Sequence, residues 1–132
     1  MIDLANVPEV TAEEWLARYV CQSKHVRLYQ TVRPDAFIPF PHQDLSVTRH
    51  LHATKQEIWN LGEQVAMESH RSLYGRADIQ ARTCHAENLG VVAAPIPNNP
   101  NHADITGWPA EKSLQKMIAV LLASKATYRQ RP

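Results

Sequence analysis

Leu45-Ser-Val-Thr-Arg-His-Leu51, with Thr54-Lys-Gln-Glu57 close behind it, is the stretch whose reading decides the fold. Alternation along the first piece sets Leu45, Val47 and Leu51 on one face, with Arg49 among them, and Ser46, Thr48 and His50 on the other, the period-2 pattern of a strand lying on a core. The second piece is a capping box: the Thr54 hydroxyl accepts an orphan amide of a first helical turn, and Glu57 reaches back to the Thr54 amide. Ile58, Leu61, Val65 and Ala66, with Trp59, then form an inward stripe, so a helix is expected to about Ser69. Gly62 within it should cost about 1 kcal/mol relative to alanine, which is tolerable where a neighbouring element needs to approach closely.

Working outward, Thr11-Ala-Glu-Glu14 repeats the capping-box pattern, and Trp15, Leu16, Tyr19 and Val20 follow at helical spacing. A helix over about 12–22, peripheral to the rest, is the expectation. Val26 to Val32 reads as a strand closed by Arg33-Pro34. Phe37-Ile-Pro-Phe-Pro41 has too few ladder donors for a central strand and is expected as an edge or loop with buried aromatics. Leu73 to Arg76 suits a short strand or turn, and Ala77 to Asn88 a helix with Gly90 as its left-handed cap. Val91 to Ile96 reads as a strand. Pro109 is placed to open a final helix, where Leu114, Met117, Ile118, Leu121 and Leu122 recur at helical spacing. Together these elements predict a single α+β domain over residues 1–132, a three- to five-stranded sheet packed by amphipathic helices.

The chain has 132 residues, enough for one core. Its formal net charge of +1 points to neither a polyanion nor a membrane surface, so a nucleic-acid role would need a local patch. Cys21 and Cys84 stand far apart and outside any Cys-x-x-Cys spacing, which predicts neither a disulfide framework nor a zinc knuckle and suits a reducing cytoplasm. The first residues lack a basic and then apolar leader, and no run of about 18 apolar residues occurs, so no membrane span is expected. With four glycines and no Gly-rich phosphate loop, no cofactor is predicted.

Two pairs carry the candidate chemistry. His50-Arg-His52 and His102-Ala-Asp104 have the two-residue spacing that puts both side chains on one face of a strand, so His50, His52, His102 and Asp104 are the candidate metal ligands, with Asp44, Asp78 or Glu57 available to orient an imidazole. The weight of the reading is against a metal. Without one, His102 or His50 could transfer a proton, with Asp104 beside it, while Arg49, Arg76 or Arg82 steadies developing negative charge. A third reading is a binding surface. Asn98, Asn101 and His102 crowd donors and acceptors on a segment stiffened by prolines, and Phe37, Phe40 and Trp108 lie in proline-punctuated stretches where aromatics anchor interfaces.

Leu45-Ser-Val-Thr-Arg-His and Asn98-Asn-Pro-Asn-His-Ala-Asp-Ile, followed by an apolar helix, are similar to segments of small uncharacterised bacterial proteins of the kind encoded near defence or mobile-element genes, over about residues 26–126. That resemblance implies a cytoplasmic role in a bacterial multi-gene system and puts His102 and its flanking Asn and Asp residues first for mutation. The expected function is an accessory or binding component with a protein partner. The alternative is a histidine-centred hydrolase or toxin-like nuclease, with or without metal assistance.

Overall fold

The computed structural model describes residues 1–27 and 31–132. Its strands are β1 (Trp15–Val20), β2 (Val26–Arg27), β3 (Thr31–Val32), β4 (Leu45–Arg49), β5 (Gly75–Gln80), β6 (Gly90–Ala93), β7 (His102–Thr106) and β8 (Thr127–Gln130). Its α-helices are α1 (Lys55–Glu68), α2 (Ala81–Ala86) and α3 (Lys112–Lys125). Six strands form an antiparallel sheet in the order β6-β7-β4-β1-β5-β8, while β2 and β3 pair apart as a small ribbon. The fold is α+β, with one strand more than the widest expected sheet.

Part of the difference comes from residues 12–22, which are not helical. Glu14 does accept the Thr11 amide, at 2.8 Å, as in a capping box. Its carboxylate is also gripped by Arg49, at 2.7 and 2.9 Å, and the chain leaves that anchor extended, as β1. β1 then lies in the middle of the sheet, with Leu16 opposite Arg49 on one side and Ile79 on the other. Ala77 to Gln80, expected as helix, belong to β5, and α2 begins only at Ala81. The left-handed residue after α2 is Asn88, at φ 60°, while Gly90 opens β6. β8, which no pattern in the sequence predicts, pairs with β5 at the sheet edge. Of the expected strand over 26–32, Leu28 and Tyr29 lie outside the described residues, and the described parts form β2 and β3.

Alternation and register assign every strand side chain to one of two faces. Leu16, Val20, Leu45, Val47, Ile79, Ala103 and Ile105 share one face, where they join Phe37 of the 3-10 turn Pro34–Phe37, Cys84 of α2, and Ala119 and Leu122 of α3 in one buried cluster. α1 covers the centre of the other face. Its capping box is complete, with Thr54 Oγ1 accepting from the Glu57 amide at 3.1 Å and Glu57 Oε1 accepting from the Thr54 amide at 2.9 Å. Ile58, Leu61 and Ala66 are buried, whereas Val65 is exposed. A Cβ on Gly62 would lie 2.7 Å from the Tyr19 ring, so this glycine allows the close approach that the sequence predicts. The Tyr19 hydroxyl donates to the Ile58 carbonyl at 2.5 Å.

α3 lies where the sequence places a last helix, but it begins at Lys112, beyond Pro109, and is turned differently. Its buried residues are Gln115, Ala119 and Leu122. That arc is one residue on from the Leu114, Ile118, Leu121 row, a rotation of about 100°. Met117 and Leu121 are consequently 64% and 44% exposed. No helix among the described residues is long and apolar enough to cross a membrane.

Candidate functional site

On the α1 side, the sheet is polar. Ser46, Thr48 and His50 of the β4 segment, Arg76 and Asp78 of β5, His102 and Asp104 of β7, and Arg129 of β8 all project from it. Two clefts border α1 on this face. The cleft over β5 and β8, against the first turns of α1, has a volume of about 620 Å³ and is lined by His50, Lys55, Trp59, Arg76, Asp78 and Arg129, with Trp15 at its side.

Within it, Arg76 and Asp78 are each only 6% exposed. They stand two residues apart on β5 and so point the same way, and Arg76 Nε donates to Asp78 Oδ1 and Oδ2 at 3.1 and 3.2 Å. His50 continues the line of β4, its amide donating to the Trp15 carbonyl at 3.0 Å. Ala17 lies between β4 and β5 on this face with only a methyl group, which leaves room for His50 Nε2 to meet Asp78 Oδ1 at 3.2 Å. A carboxylate only accepts, so Nε2 is the protonated nitrogen of this pair. The Arg76 guanidinium stacks on Trp59, 4.6 Å from the ring centroid, and its Nη1 is buried without a hydrogen-bond partner among the described residues. Arg129 is the direct cross-strand neighbour of Arg76. The arrangement offers a positively charged wall, a histidine whose ring is oriented by a carboxylate, and an exposed indole.

The second cleft, of about 340 Å³, lies against the later turns of α1 and includes Arg18, His25, His42, Arg71, Asn99 and His102. Arg18 fills the place where β1 and β4 diverge, donating from Nε to the Ala36 carbonyl at 2.8 Å and from Nη1 to the Ser46 carbonyl at 3.0 Å. Burial lowers its pKa to about 10, so it stays cationic at neutral pH. Burial also lowers the His25 pKa, outweighing the attraction of Asp35. His102 Nδ1 donates to the Ala94 carbonyl at 2.8 Å, which leaves Nε2 3.8 Å from Asp104 Oδ1.

The residues singled out in the sequence therefore separate. His102 and Asp104 are together on β7, but His50 lines the other cleft and pairs with Asp78. His52 sits in the turn after β4 at φ 59°. Among the described residues, no group of three or more His, Cys, Asp or Glu side chains is placed to hold a metal. Arg49 is wholly buried on the other face, where it holds Glu14 and donates to the Pro8 and Glu9 carbonyls at 2.8 and 3.3 Å. It is a structural clamp.

Asn101 is equally buried, donating to the Arg49 and Leu51 carbonyls at 2.7 and 2.8 Å and accepting from the Ile2 amide at 2.9 Å. Asn98 is exposed and bonds Glu68 at 2.9 Å. Phe37 is core, Trp108 is half-buried with its indole N–H on the Ile105 carbonyl at 2.9 Å, and Phe40 is exposed beside Lys112. Of the carboxylates named to orient an imidazole, Asp78 does so. Of Arg49, Arg76 and Arg82, Arg76 reaches a cleft, while Arg82 pairs with Glu13 at the surface, 3.7 Å away. No local pattern marks Lys55, Trp59 and Arg129 as site residues; strand register and the first two turns of α1 bring them together. No family model, curated protein or solved structure matches this chain.

Proposed function

We propose that the chain is an accessory or binding component of a bacterial multi-gene system of the defence-like kind that its segments resemble, working in the cytoplasm with a protein partner. One observation carries the reading: α3 buries Gln115, Ala119 and Leu122 against the sheet and turns Leu114, Met117, Val120 and Leu121 to the outside. A helix that is apolar on both sides has a second surface to cover. Phe40, exposed against Lys112 at the start of the same helix, adds an aromatic anchor of the type that concentrates binding energy. The free thiols of Cys21 and Cys84 suit a reducing compartment.

The test is co-expression with the products of neighbouring genes. Met117→Glu and Leu121→Glu should leave the melting temperature unchanged and abolish the complex. A complex that survives both substitutions contradicts the reading, and so does a homodimer of the chain alone that the same substitutions dissolve. The His50–Asp78 pair favours a second reading, a histidine-centred hydrolase or toxin-like nuclease, in which His50 moves a proton and Arg76 steadies a phosphate. Cleavage of a labelled RNA that vanishes in His50→Gln would support it. RNA left intact with and without divalent metal would remove it.

A further inference from the structure

We infer that the cleft over β5 and β8 is a binding site for a nucleoside monophosphate, held by side chains rather than by a glycine-rich loop. This assignment is independent of the docking surface on α3, which lies on the other face of the sheet. Arg76 is more than nine-tenths buried, spends its hydrogen bonds to Asp78 through Nε alone, and keeps Nη1 without a partner among the described residues. An unpaired donor on a buried cation is costly, and a phosphate oxygen is the acceptor that an arginine fork fits.

Arg129 stands directly opposite Arg76 on the neighbouring strand. Like charges in that position repel, so the pair is stabilised when an anion lies between them. Lys55 adds a third cation to the lining, and among the described side chains that line the cleft Asp78 is the one carboxylate, already committed to Arg76 and His50. Electrostatics therefore select an anion. Aromatic surface selects what is attached to it: the Trp59 ring carries the Arg76 guanidinium, while Trp15, 43% exposed, offers an indole on which a base can stack. The volume of about 620 Å³ is in the range of small-ligand sites.

The experiment is calorimetric titration of the full chain with AMP, adenosine and inorganic phosphate at low salt. AMP should bind, adenosine and phosphate should each bind at least about tenfold more weakly, and added salt should weaken the phosphate-bearing probes. Arg129→Gln alters an exposed side chain, so it should keep the melting temperature and weaken AMP by about tenfold, the worth of one charge-assisted contact. Trp15→Ala should weaken AMP and leave phosphate unchanged. Arg76→Lys, which also disturbs Asp78, is the less direct variant, and Arg129→Gln carries the test. Failure of both AMP and phosphate to bind at millimolar concentration overturns the site. AMP binding that is unaltered in Arg129→Gln and Trp15→Ala overturns its location, and phosphate binding as tightly as AMP overturns the role of the indole.

Discussion

The two faces of the six-stranded sheet are made by alternate residues of the same strands, yet they differ in almost every property. Against α2, α3 and the turn at Phe37, β1, β4, β5 and β7 present aliphatic side chains that are nearly or wholly buried. Toward α1 the same strands present Thr48, His50, Arg76, Asp78, His102 and Asp104, and one 14-residue helix covers only the middle of that surface. The dry face carries the hydrophobic stabilisation. Freed from that task, the polar face can keep charged groups in clefts on both sides of α1. The lesson is a division of labour by strand parity: substitutions at one parity should unfold the chain, and those at the other should change what it binds.

The largest expected effect comes from a polar exception on the dry face, the Arg49–Glu14 pair. Glu14→Ala would strand the wholly buried Arg49 guanidinium, and breaking a buried pair in this way should cost about 3–5 kcal/mol in chemical denaturation. A small change would mean that water reaches Arg49 and that this face is less dry than its aliphatic lining implies. Next, Leu122→Ala should cost about 2–5 kcal/mol, because the side chain is fully buried in the cluster. Its neighbour Leu121, 44% exposed, should lose less than about 0.5 kcal/mol on the same substitution. Equal costs would place both in the core and remove the outward stripe of α3. Smaller again, Thr54→Ala should cost about 1 kcal/mol through the lost cap of α1.

The same cap has a pH signature. The Thr54 amide donated to the Glu57 carboxylate holds its pKa below the ordinary value. A carboxyl depressed on folding contributes stability that is present above its unfolded pKa and is lost as pH falls through the folded one. Acid titration should show that loss in the native chain, and Glu57→Ala should remove it.

Local signals were legible where they agreed with tertiary structure. The Thr54 box, the β4 alternation and the close approach at Gly62 could all be read because a cap, a period and a missing Cβ act over a few residues. The Thr11–Glu14 box misled for a specific reason: its hydrogen bond forms, but Glu14 also serves Arg49, 35 residues away, and β1 follows instead of a helix. Ala77-Asp-Ile-Gln80 has no dense β-branched run, and its strand state comes from pairing with β1 on one side and β8 on the other.

That misreading hid the site. Arg76 and Asp78 share a face only if β5 is extended, and His50 reaches Asp78 only across Ala17. His50, Asp78 and Arg76 were each visible as chemistry. Their convergence depends on the order β4-β1-β5, which no local pattern encodes.

The most direct test of the division between faces is a two-dimensional amide NMR titration of the isotope-labelled chain with AMP. Shifts should concentrate at Trp15, His50, Lys55, Trp59, Arg76 to Asp78 and Thr127 to Arg129, with the amides of α3 unmoved. Shifts confined to α3, or spread evenly over both layers, would contradict that division.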